Sequence, residues 1–403
     1  MNIHYIPIRQ CLCCENESLT LLLDLGNQPL ANEYHDATVS LPEFPLAINL
    51  CNRCFHCQQS IAVDPDDMFR NYLYVSGTSQ SLMDYFDWFA TMVNEKIPGG
   101  NDRKMLDIAS NDGSQLAAFQ KLGWKGWGVD PAKNLYEQAK KTGANITCDY
   151  WTRDVAHQLG ETFDAIVAQN VFAHTANPLE FLKTCASVMH RNTKIFIQTS
   201  QAQMFYNGEF DTIYHEHISF FSAKSLQTLA HRAGLFVEDI FTTPIHGTSY
   251  IFVLGYDSDE TKAKSFIEQE RQNGRYTKKL YRNFADTASS TVKHLSDIIE
   301  TYRLKHYSIV GFGAAAKGNT LLNFGRIRLD CIVDDNPLKQ GLLTPGMNIP
   351  IIPIQDIATK PHPMVIVVLA WNFFDEIRKK TKMLRPDCDD IFITYFPKIT
   401  ERL

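Results

Sequence analysis

The stretch Lys104-Met-Leu-Asp-Ile-Ala-Ser-Asn-Asp-Gly-Ser114 has the pattern of a buried strand, a tight turn and the start of a helix. A short apolar run comes first, a polar turn with one glycine follows, and the helical pattern SQLAAFQKLG comes next. A second strand over residues 124–130 ends in an acid, and strands and helices continue to alternate to residue 199. Such alternation is typical of a parallel, doubly wound sheet. The sequence therefore predicts a nucleotide-type α/β domain over residues 76–255.

The first turn of this domain differs from a turn that binds a dinucleotide. It has a single glycine, Gly113, beside Asn111 and Asp112, where a dinucleotide turn has G-x-G-x-x-G to approach a pyrophosphate. Ligands of such sheets lie beyond the carboxyl ends of the strands, where Asp130 can accept hydrogen bonds from both ribose hydroxyls. Acids also favour a cationic sulfonium, so the pattern favours S-adenosylmethionine over NAD. The residues expected at this cofactor site are Asp107, Ala109, Asn111, Asp112, Gly113, Asp130, Asp149, Tyr150, Gln169 and Asn170.

Four groups that bond or titrate follow one another in Tyr214–His217, between two isoleucines. In a strand, His215 and His217 would share one face, whereas a loop or tight turn would let the four side chains converge. A histidine beside a carboxylate such as Glu216 is a natural general base, because its pKa lies near neutral pH and the carboxylate can orient it. The cluster therefore predicts a functional site, and His174 follows a strand of the same sheet toward the same edge.

Six of the ten cysteines fall within the first 57 residues. Four of them form two C-x-x-C turns: Cys11, Cys14, Cys51 and Cys54. Two such turns make a closed tetrahedral site, which is typical of structural zinc. The segment between the turns is longer than in common zinc ribbons and rich in turn formers, so residues 1–75 are predicted to form a small module. Cys13 and Cys57 are alternative ligands, and an Fe–S cluster is an alternative occupant.

Residues 256–403 repeat the α/β pattern after a charged stretch without proline, which predicts one or two long, solvated helices. A strand then runs into Gly311-x-Gly313-x-x-Ala316-Lys317, which resembles a dinucleotide turn but is not specific on its own. Backbone N–H groups of such a turn, with Lys317, can hold a diphosphate, and Trp371 can stack on a ring or sugar face. The sequence predicts a second Rossmann-like domain, with substrate-binding residues Gly313, Lys317, Asn319, Asp334, Trp371 and Asn372.

Composition limits the remaining possibilities. A chain of 403 residues predicts two or three domains, and 44% hydrophobic and 21% charged residues are typical of a globular protein. The net charge of -6 argues against a nucleic-acid partner. The chain lacks an apolar run that would span a bilayer, a signal-peptide pattern and an apolar heptad stripe. We therefore expect a cytoplasmic monomer with reduced thiols and no membrane or nucleic-acid partner.

The order of these motifs resembles a known family from about residue 11 to 380. The motifs are the four-cysteine clip, L-D-I-A-S-N-D-G, N-V-F-A-H, Y-H-E-H, G-F-G-A-A-A-K-G-N and L-A-W-N-F-x-x-E-I. Together they resemble the sugar C-methyltransferases that act on nucleotide-linked deoxysugars, the C-3 methyltransferases of branched-chain sugar pathways. Two departures are Ala109, where the family usually has glycine, and His246-Gly-Thr-Ser249, where it has H-G-G-S.

The resemblance implies a fold, a reaction and roles for individual residues. It implies a zinc-binding module, a central S-adenosylmethionine domain and a C-terminal domain that helps to hold a thymidine-diphosphate-type keto-sugar. The second histidine of Y-H-E-H, His217, is the implied base, with Tyr214, Glu216 and His174 at the other active-site positions. The implied reaction removes a proton from the carbon next to the ketone, such as C-3 of a 4-keto sugar, and methylates the enolate.

Two other classes of function compete with this interpretation. The C-terminal turn would also suit an NAD-dependent sugar-nucleotide oxidoreductase, although the single-glycine first turn and the Y-H-E-H row argue against it. The four-cysteine module would also suit a non-catalytic zinc scaffold. The sequence does not specify the sugar, its nucleotide or the stereochemistry of the product.

Overall fold

The computed structural model describes residues 5–403 except 38, 73, 98, 101, 201, 246 and 362. Its strands form one pair and three larger sheets of four, seven and six strands. The strands are β1 Tyr5–Pro7, β2 Leu19–Gln28, β3 Phe44–Cys51, β4 Cys57–Gln59, β5 Ile61–Val63, β6 Lys104–Ile108, β7 Lys125–Val129, β8 Asn145–Thr147, β9 Phe163–Gln169, β10 Met189–Thr199, β11 Ser219–Phe220, β12 Phe236–Thr243, β13 Ser249–Gly255, β14 Ser308–Phe312, β15 Cys331–Val333, β16 Ile351–Ile352, β17 Met364–Val368, β18 Ile391–Thr394 and β19 Thr400–Arg402. The α-helices are α1 Pro65–Phe69, α2 Gln80–Lys96, α3 Ser114–Gln120, α4 Tyr136–Lys140, α5 Arg153–Leu159, α6 Pro178–Ser187, α7 Met204–Asn207, α8 Ala223–Arg232, α9 Thr261–Gln272, α10 Lys278–Leu304, α11 Ala316–Gly325 and α12 Phe374–Leu384. Short 3₁₀ helices are Ser76–Thr78, Phe172–His174, Phe210–Thr212, Ile354–Thr359 and Trp371–Phe373.

The N-terminal module is built on an antiparallel sheet with the strand order β11-β4-β3-β2. The sequence predicts a turn-rich loop after the first C-x-x-C turn, but Leu19–Gln28 is a strand of 10 residues. Its buried residues Leu23 and Leu25 alternate with exposed ones, and register shifts between Asp24 and Asn27 accommodate the turn formers. The edge strand β11 comes from beyond residue 200, immediately after Y-H-E-H.

The middle sheet has the order β12-β13-β10-β9-β6-β7-β8. Strands β6 to β10 are parallel, as the sequence predicts. Strand β13 pairs antiparallel with both β10 and β12, so the predicted parallel sheet contains one reversed strand, and β12 runs in the same direction as β10. Strand β13 is buried along its whole length, so its sequence lacks the alternation that marks a half-buried strand. The order reverses between β6 and β9, which places a ligand crevice at the carboxyl ends of these strands.

The C-terminal sheet has the order β16-β15-β14-β17-β18-β19, and all of its strands except β19 are parallel. The helices α9 and α10 precede it. The prediction that they are solvated is wrong for α10, which buries a stripe of residues at helical spacing: Tyr281, Phe284, Ala288, Val292, Leu295 and Ile299. The charged residues between these positions hide the stripe from an inspection of composition alone.

The N-terminal module packs against both of the other sheets. One apolar core contains the module's Cys11 and Cys51 together with Leu106 of β6 and Ile166 of β9. A second core contains residues of β2 and β3 together with α10 and the C-terminal sheet. No helix in the described part of the chain is both long and apolar enough to cross a membrane.

Candidate active site

The Tyr214–His217 segment forms a tight turn, in which the His217 amide donates to the Tyr214 carbonyl at 2.8 Å. The N-terminal module holds this turn from outside. The side-chain amide of Gln59 donates to the Tyr214 carbonyl at 2.6 Å and to the His217 carbonyl at 3.1 Å. Strand β11 then continues the chain into the module's sheet beside β4. The four-cysteine module therefore sets the position of the histidine turn.

His217 lies at the centre of the cluster and is 6% exposed. Its Nδ1 lies 2.7 Å from the carbonyl oxygen of Thr212. Because a carbonyl oxygen only accepts, Nδ1 carries the proton in the neutral ring and Nε2 carries the lone pair. The ring centroids of Tyr214 and His174 lie 4.0 Å and 5.2 Å from that of His217. This tautomer makes Nε2 the atom that can accept a proton.

The two histidines of the turn separate instead of sharing a face. His215 packs against the ring of Phe44 in the N-terminal module, with ring centroids 5.6 Å apart. Burial lowers the pKa of His215 to about 4, so this ring is neutral at pH 7. The segment is a tight turn and not a strand, but the four side chains do not all converge as a turn was expected to allow. The turn brings Tyr214 and His217 together and directs His215 away.

Glu216 and Tyr214 are buried polar groups with different partners. The Glu216 carboxylate accepts from the Asn32 side chain at 2.5 Å and from the Tyr72 hydroxyl at 3.2 Å. Burial raises the pKa of Glu216 above its ordinary value, although both donors oppose this shift. Burial also raises the pKa of Tyr214 well above its ordinary value, so its hydroxyl keeps its proton at neutral pH. The sequence interpretation did not include Asn32 and Tyr72, because their link to residue 216 is entirely non-local.

His174 completes the aromatic cluster from the end of β9. Its ring stacks on Phe69 at 5.5 Å with an interplanar angle of 6°. Burial lowers the pKa of His174 to about 4, so it is a neutral hydrogen-bonding group at pH 7 and a poor proton acceptor. Of the two histidines that face each other, only His217 has its Nδ1–H directed at a backbone carbonyl.

The first turn of the middle sheet has the geometry of a close ligand contact. Ala109, Asn111 and Gly113 have positive φ angles of 65°, 51° and 82°. The Asp130 carboxylate accepts from the backbone amides of Asn111 and Ala132, each at 2.8 Å. These two bonds fix the carboxylate at the end of β7 and leave further lone pairs for ribose hydroxyls. The turn and Asp130 thus lie together as the sequence predicts.

A segment that the sequence interpretation did not single out lies beside this turn. The Ser76 amide donates to the Asn111 side chain at 3.0 Å, and the Gly77 amide donates to the Asp112 carboxylate at 2.9 Å. The side-chain amide of Asn111 donates to the Tyr74 carbonyl at 3.0 Å. Serine and glycine are common in connections, so the sequence has no specific signal for this segment.

The other predicted cofactor residues lie on neighbouring strand ends. Asp107 is buried, accepts from Gln115 at 2.9 Å, and has its pKa raised well above the ordinary value by burial. Gln169 donates to the same glutamine. Asn170 follows β9 with φ 54°, and its Oδ1 is buried without a hydrogen-bond partner among the described residues. A ligand with an N–H or O–H group at this strand end could donate a hydrogen bond to that oxygen, so the residues here fit a cofactor.

Asp149 and Tyr150 lie after β8, as the sequence predicts, and both face Arg70. The guanidinium lies 4.5 Å from the Tyr150 ring centroid and 3.7 Å from the Asp149 carboxylate. Arg70 follows α1 of the N-terminal module. The edge of the sheet expected to meet the adenine is therefore bordered by that module.

The C-terminal turn uses two of its predicted substrate-binding residues for internal contacts. The Asp334 carboxylate accepts from the amides of Ala314 and Asn336 at 2.7 Å and 2.8 Å. Asn319 is 1% exposed, and its amide donates to the Ala31 carbonyl at 2.8 Å and to the Tyr34 hydroxyl at 3.2 Å. These bonds hold the turn and join it to the N-terminal module, and a substrate contact of Asn319 and Asp334 stays a prediction.

The other predicted residues of this domain lie near the histidine turn. Gly313 has φ 92°, and a Cβ there would lie 2.6 Å from the Ala370 side chain, so glycine is required for packing. The Lys317 ammonium lies 4.8 Å from the Trp371 ring centroid, and the indole N–H donates to Asp211 at 2.9 Å. Trp371 and Asn372 border a cavity of about 450 Å³ at the carboxyl ends of β17 and β18. His246 lies outside the described residues.

The four predicted metal ligands converge. The Sγ atoms of Cys11, Cys14, Cys51 and Cys54 all lie within 4.8 Å of one another. The distances are 3.5 Å from Cys11 to Cys54 and 3.6 Å from Cys14 to Cys51. Tetrahedral Zn–S bonds of about 2.3 Å place sulfurs about 3.8 Å apart, so the set fits zinc. Cys13 and Cys57 are outside this set among the described residues.

Two solved structures match less than half of the chain, with low TM-scores. Magnesium protoporphyrin IX methyltransferase of Synechocystis, with bound S-adenosylmethionine, gives a TM-score of 0.32 at 13% identity, covering 43% of this chain and 78% of that chain. An S-adenosylmethionine-dependent methyltransferase of Clostridium acetobutylicum gives a TM-score of 0.35 at 8% identity, covering 43% of this chain and 91% of that chain.

Two curated relatives differ in the extent of their similarity. C-methyltransferase NovU of Streptomyces niveus is 27% identical over 385 residues, which cover 92% of this chain and 91% of NovU. Ubiquinone biosynthesis O-methyltransferase of Parvibaculum lavamentivorans is 31% identical over 102 residues, which cover 24% of this chain and 40% of that enzyme. The first similarity includes all three parts of the chain, and the second is confined to a quarter of it.

Three family models match successive parts of the chain. A zinc binding domain matches residues 11–69, a methyltransferase domain matches residues 79–240, and a C-methyltransferase C-terminal domain matches residues 244–397. Their order is the order of the sequence motifs, and NovU shares it over nearly its full length. The chain therefore resembles a C-methyltransferase over nearly its whole length, and it is an S-adenosylmethionine-dependent methyltransferase.

Proposed function

We propose that the protein transfers a methyl group to the carbon next to the ketone of a nucleotide-linked keto-deoxysugar. The favoured substrate is a dTDP-linked 4-keto sugar that is methylated at C-3. The observation that supports this proposal most strongly is the tautomer of His217. Its Nδ1–H is directed at the Thr212 carbonyl, so Nε2 is the ring atom that carries the lone pair, and two aromatic side chains that can form hydrogen bonds lie against the ring.

His217 is the proposed base for removal of the sugar proton. A carbon next to a ketone is acidic enough for an imidazole to deprotonate when the developing charge is stabilised. The proton goes to Nε2, and the resulting positive charge strengthens the bond from Nδ1–H to the Thr212 carbonyl at 2.7 Å. General-base catalysis of this kind contributes roughly 10²–10⁴ in rate.

Tyr214 and His174 are the proposed donors to the enolate oxygen. Both rings lie against His217, at centroid distances of 4.0 Å and 5.2 Å. The raised pKa of Tyr214 keeps its hydroxyl protonated, and the lowered pKa of His174 keeps that ring neutral. Donors already fixed where charge develops stabilise a transition state without reorganisation. Glu216, held by Asn32 and Tyr72, is proposed to orient this cluster.

The cofactor site is proposed at the carboxyl ends of β6, β7 and β9. S-adenosylmethionine, when bound, supplies an electrophilic methyl group on a sulfonium. Asp130 would hold the ribose, and Asn170 Oδ1, buried without a partner among the described residues, would meet the methionine part. Asp149 and Tyr150 would border the adenine. His174 follows the same strand as Asn170, which brings the base and the cofactor site to one edge of the sheet.

The C-terminal domain is proposed to hold the nucleotide part of the substrate. Trp371 and Asn372 border the cavity at the strand ends, and Lys317 supplies a positive charge beside the indole. An aromatic face suits a base or sugar ring, and a lysine suits a diphosphate. We propose domain limits of 1–75, 76–255 and 256–403, with a structural Zn²⁺ bound by the four converging thiolates and a reducing, cytoplasmic location that keeps those thiols available.

The proposal is tested by incubating the protein with S-adenosylmethionine and a dTDP-linked 4-keto-6-deoxysugar. We expect a product that is heavier by one methylene unit and that shows a new carbon-bound methyl signal by NMR. Reactions without the cofactor and with His217→Asn should give no product. Oxygen-bound methyl, or oxidation of the sugar when NAD replaces the cofactor, would contradict the proposal.

A further inference from the structure

The short helix Phe210–Thr212 lies between the C-terminal sheet and the histidine turn. Asp211, in the middle of this helix, is 0% exposed. Its Oδ2 accepts from the Trp371 indole at 2.9 Å and from the Tyr395 hydroxyl at 3.0 Å. Both donors belong to the C-terminal domain and follow its strands β17 and β18. One carboxylate oxygen thus receives two donors from another domain.

The next residue in the chain holds the proposed base. The carbonyl oxygen of Thr212 lies 2.7 Å from Nδ1 of His217 and defines its tautomer. The carbonyl of Ile213 accepts from the Thr320 hydroxyl on α11 at 3.1 Å. The C-terminal domain therefore holds this backbone at two points, one on each side of Thr212, and any displacement of the helix displaces the acceptor that orients His217.

The charge of Asp211 is also set by the C-terminal domain. Burial raises the pKa of Asp211 to about 6, and the nearby Lys317 ammonium opposes that shift. Lys317 in turn lies 4.8 Å from the centroid of Trp371, the residue that donates to Asp211. A chain of contacts thus runs from Lys317 through Trp371 to the Asp211 carboxylate. The next residue, Thr212, supplies the carbonyl that accepts from His217.

We infer that Asp211 is a positioning residue that couples the C-terminal domain to His217 through the Thr212 carbonyl. The inference deepens the proposed function and rests on it only in taking His217 as the base. A buried carboxylate with a merely structural role would also be hydrogen-bonded, so stability measurements alone do not distinguish the two roles. The two roles are distinguished by whether the Nδ1–H of His217 keeps its hydrogen bond and by whether kcat falls while KM stays constant.

The experiment compares three variants of the full-length protein with a matched control. Tyr395→Phe removes one donor to Asp211 and lies outside the proposed substrate contacts. Asp211→Asn keeps the shape and an acceptor, whereas Asp211→Ala removes both. The control, Tyr302→Phe, removes a tyrosine hydroxyl bond to Glu401 on the exposed surface. Two measurements are made on each: steady-state kinetics, and the Nδ1–H signal of His217 by ¹⁵N NMR.

We expect Tyr395→Phe to lower kcat by about tenfold and Asp211→Ala by about 100-fold, since small displacements of a catalytic group cost this much. Asp211→Asn should fall between wild type and Asp211→Ala. The KM for S-adenosylmethionine should stay constant, and the Nδ1–H signal should exchange faster with solvent in the same order. Tyr302→Phe should match wild type in both measurements.

Two results would overturn the inference: an unchanged His217 signal, or an unchanged kcat in Tyr395→Phe, with only the unfolding temperature lowered. The NMR measurement also separates this inference from the proposed function. If wild type methylates no nucleotide-linked keto-sugar but its Nδ1–H signal still depends on Tyr395 and Asp211, the coupling stands and the proposed reaction fails. If the signal is independent of both residues, the coupling fails whatever the reaction.

Discussion

The two large sheets begin with first turns that are built alike. In the middle sheet, the carboxylate of Asp130 accepts from the turn amide of Asn111 and from the amide two residues after itself. In the C-terminal sheet, Asp334 accepts from the turn amide of Ala314 and again from the amide two residues after itself. In both cases the acid ends the second strand and ties it to the first turn.

The two turns differ in what lies over them. The first is bordered by the short segment around Ser76, and Ser110 Oγ in this turn and Asn170 Oδ1 at the neighbouring strand end are buried without partners among the described residues. The second is covered by the N-terminal module, because the Tyr34 hydroxyl donates to the Ala314 carbonyl at 2.5 Å. Lys339 of the same domain donates to that carbonyl at 2.7 Å. The same kind of turn thus borders the proposed cofactor site in one sheet and packs against another domain in the other.

Removal of the proposed zinc should have the largest effect, because it would loosen the module that covers the second turn. Structural zinc contributes roughly 10 kcal/mol or more to the folding of small modules. A chelator should abolish turnover, since Gln59 and strand β11 hold the histidine turn. Binding of S-adenosylmethionine, measured by calorimetry, should persist. A parallel loss of cofactor binding would show that the first turn also depends on the module.

Replacement of the two acids tests the comparison directly. Asp130→Ala and Asp334→Ala each remove two backbone hydrogen bonds, so both should lower the unfolding free energy by about 1–3 kcal/mol. Only Asp130→Ala should weaken binding of S-adenosylmethionine, by about 100-fold, through loss of the ribose acceptor. Calorimetry and thermal unfolding of both variants provide the comparison. Equal loss of cofactor affinity in the two variants would refute the assigned difference.

The contact between the histidine turn and the N-terminal module should weaken in acid. Burial lowers the pKa of His215 to about 4, so the folded state binds fewer protons than the unfolded state as pH falls below 6.5. The unfolding free energy is therefore unaffected by this group above about pH 6.5 and is lower by about 2 kcal/mol at pH 5. His215→Phe should reduce the difference in unfolding free energy between pH 8 and pH 5 by that amount. Identical pH dependence in wild type and variant would contradict this assignment.

The smallest effect distinguishes the backbones of the two turns. Ala109 has φ 65° in the first turn, whereas Ala315 has φ -105° in the second. A left-handed alanine costs about 1–2 kcal/mol, which exceeds the entropic cost of glycine. Ala109→Gly should therefore raise the unfolding free energy by about 0.5–1 kcal/mol, and Ala315→Gly should lower it by a similar amount. Chemical denaturation of both variants checks the sign.

The sequence predicts the architecture well where its signals are local. Alternating strands and helices, the two C-x-x-C turns and the Tyr214–His217 cluster all depend on residues close together in the chain. The reversed direction of β13 was not predictable, because it is set by pairing with β10 and β12, which a local sequence pattern does not report. The buried stripe of α10 is a local pattern, but many charged residues lie between its members. The stripe is recognised only from the helical spacing of the buried residues.

The candidate site is less predictable, because its supporting contacts join distant parts of the chain. Asn32, Gln59 and Tyr72 reach the histidine turn from more than 140 residues away, and no local pattern marks them. The packing contacts of Asn319 were not predictable for the converse reason. Its turn has the local pattern of a ligand site, and its contact with Tyr34 of the N-terminal module joins residues that are distant in the chain.

The central claim, that His217 is the base, is tested most directly by hydrogen exchange at the substrate carbon. The protein is incubated in D₂O with the dTDP-linked keto-sugar and S-adenosylhomocysteine, so that the proton is removed but no methyl group is transferred. Wild type should introduce deuterium at the carbon next to the ketone. His217→Asn, whose side chain can still donate to the Thr212 carbonyl but cannot take the proton, should slow this exchange at least 100-fold. Exchange at the wild-type rate in His217→Asn would contradict the account.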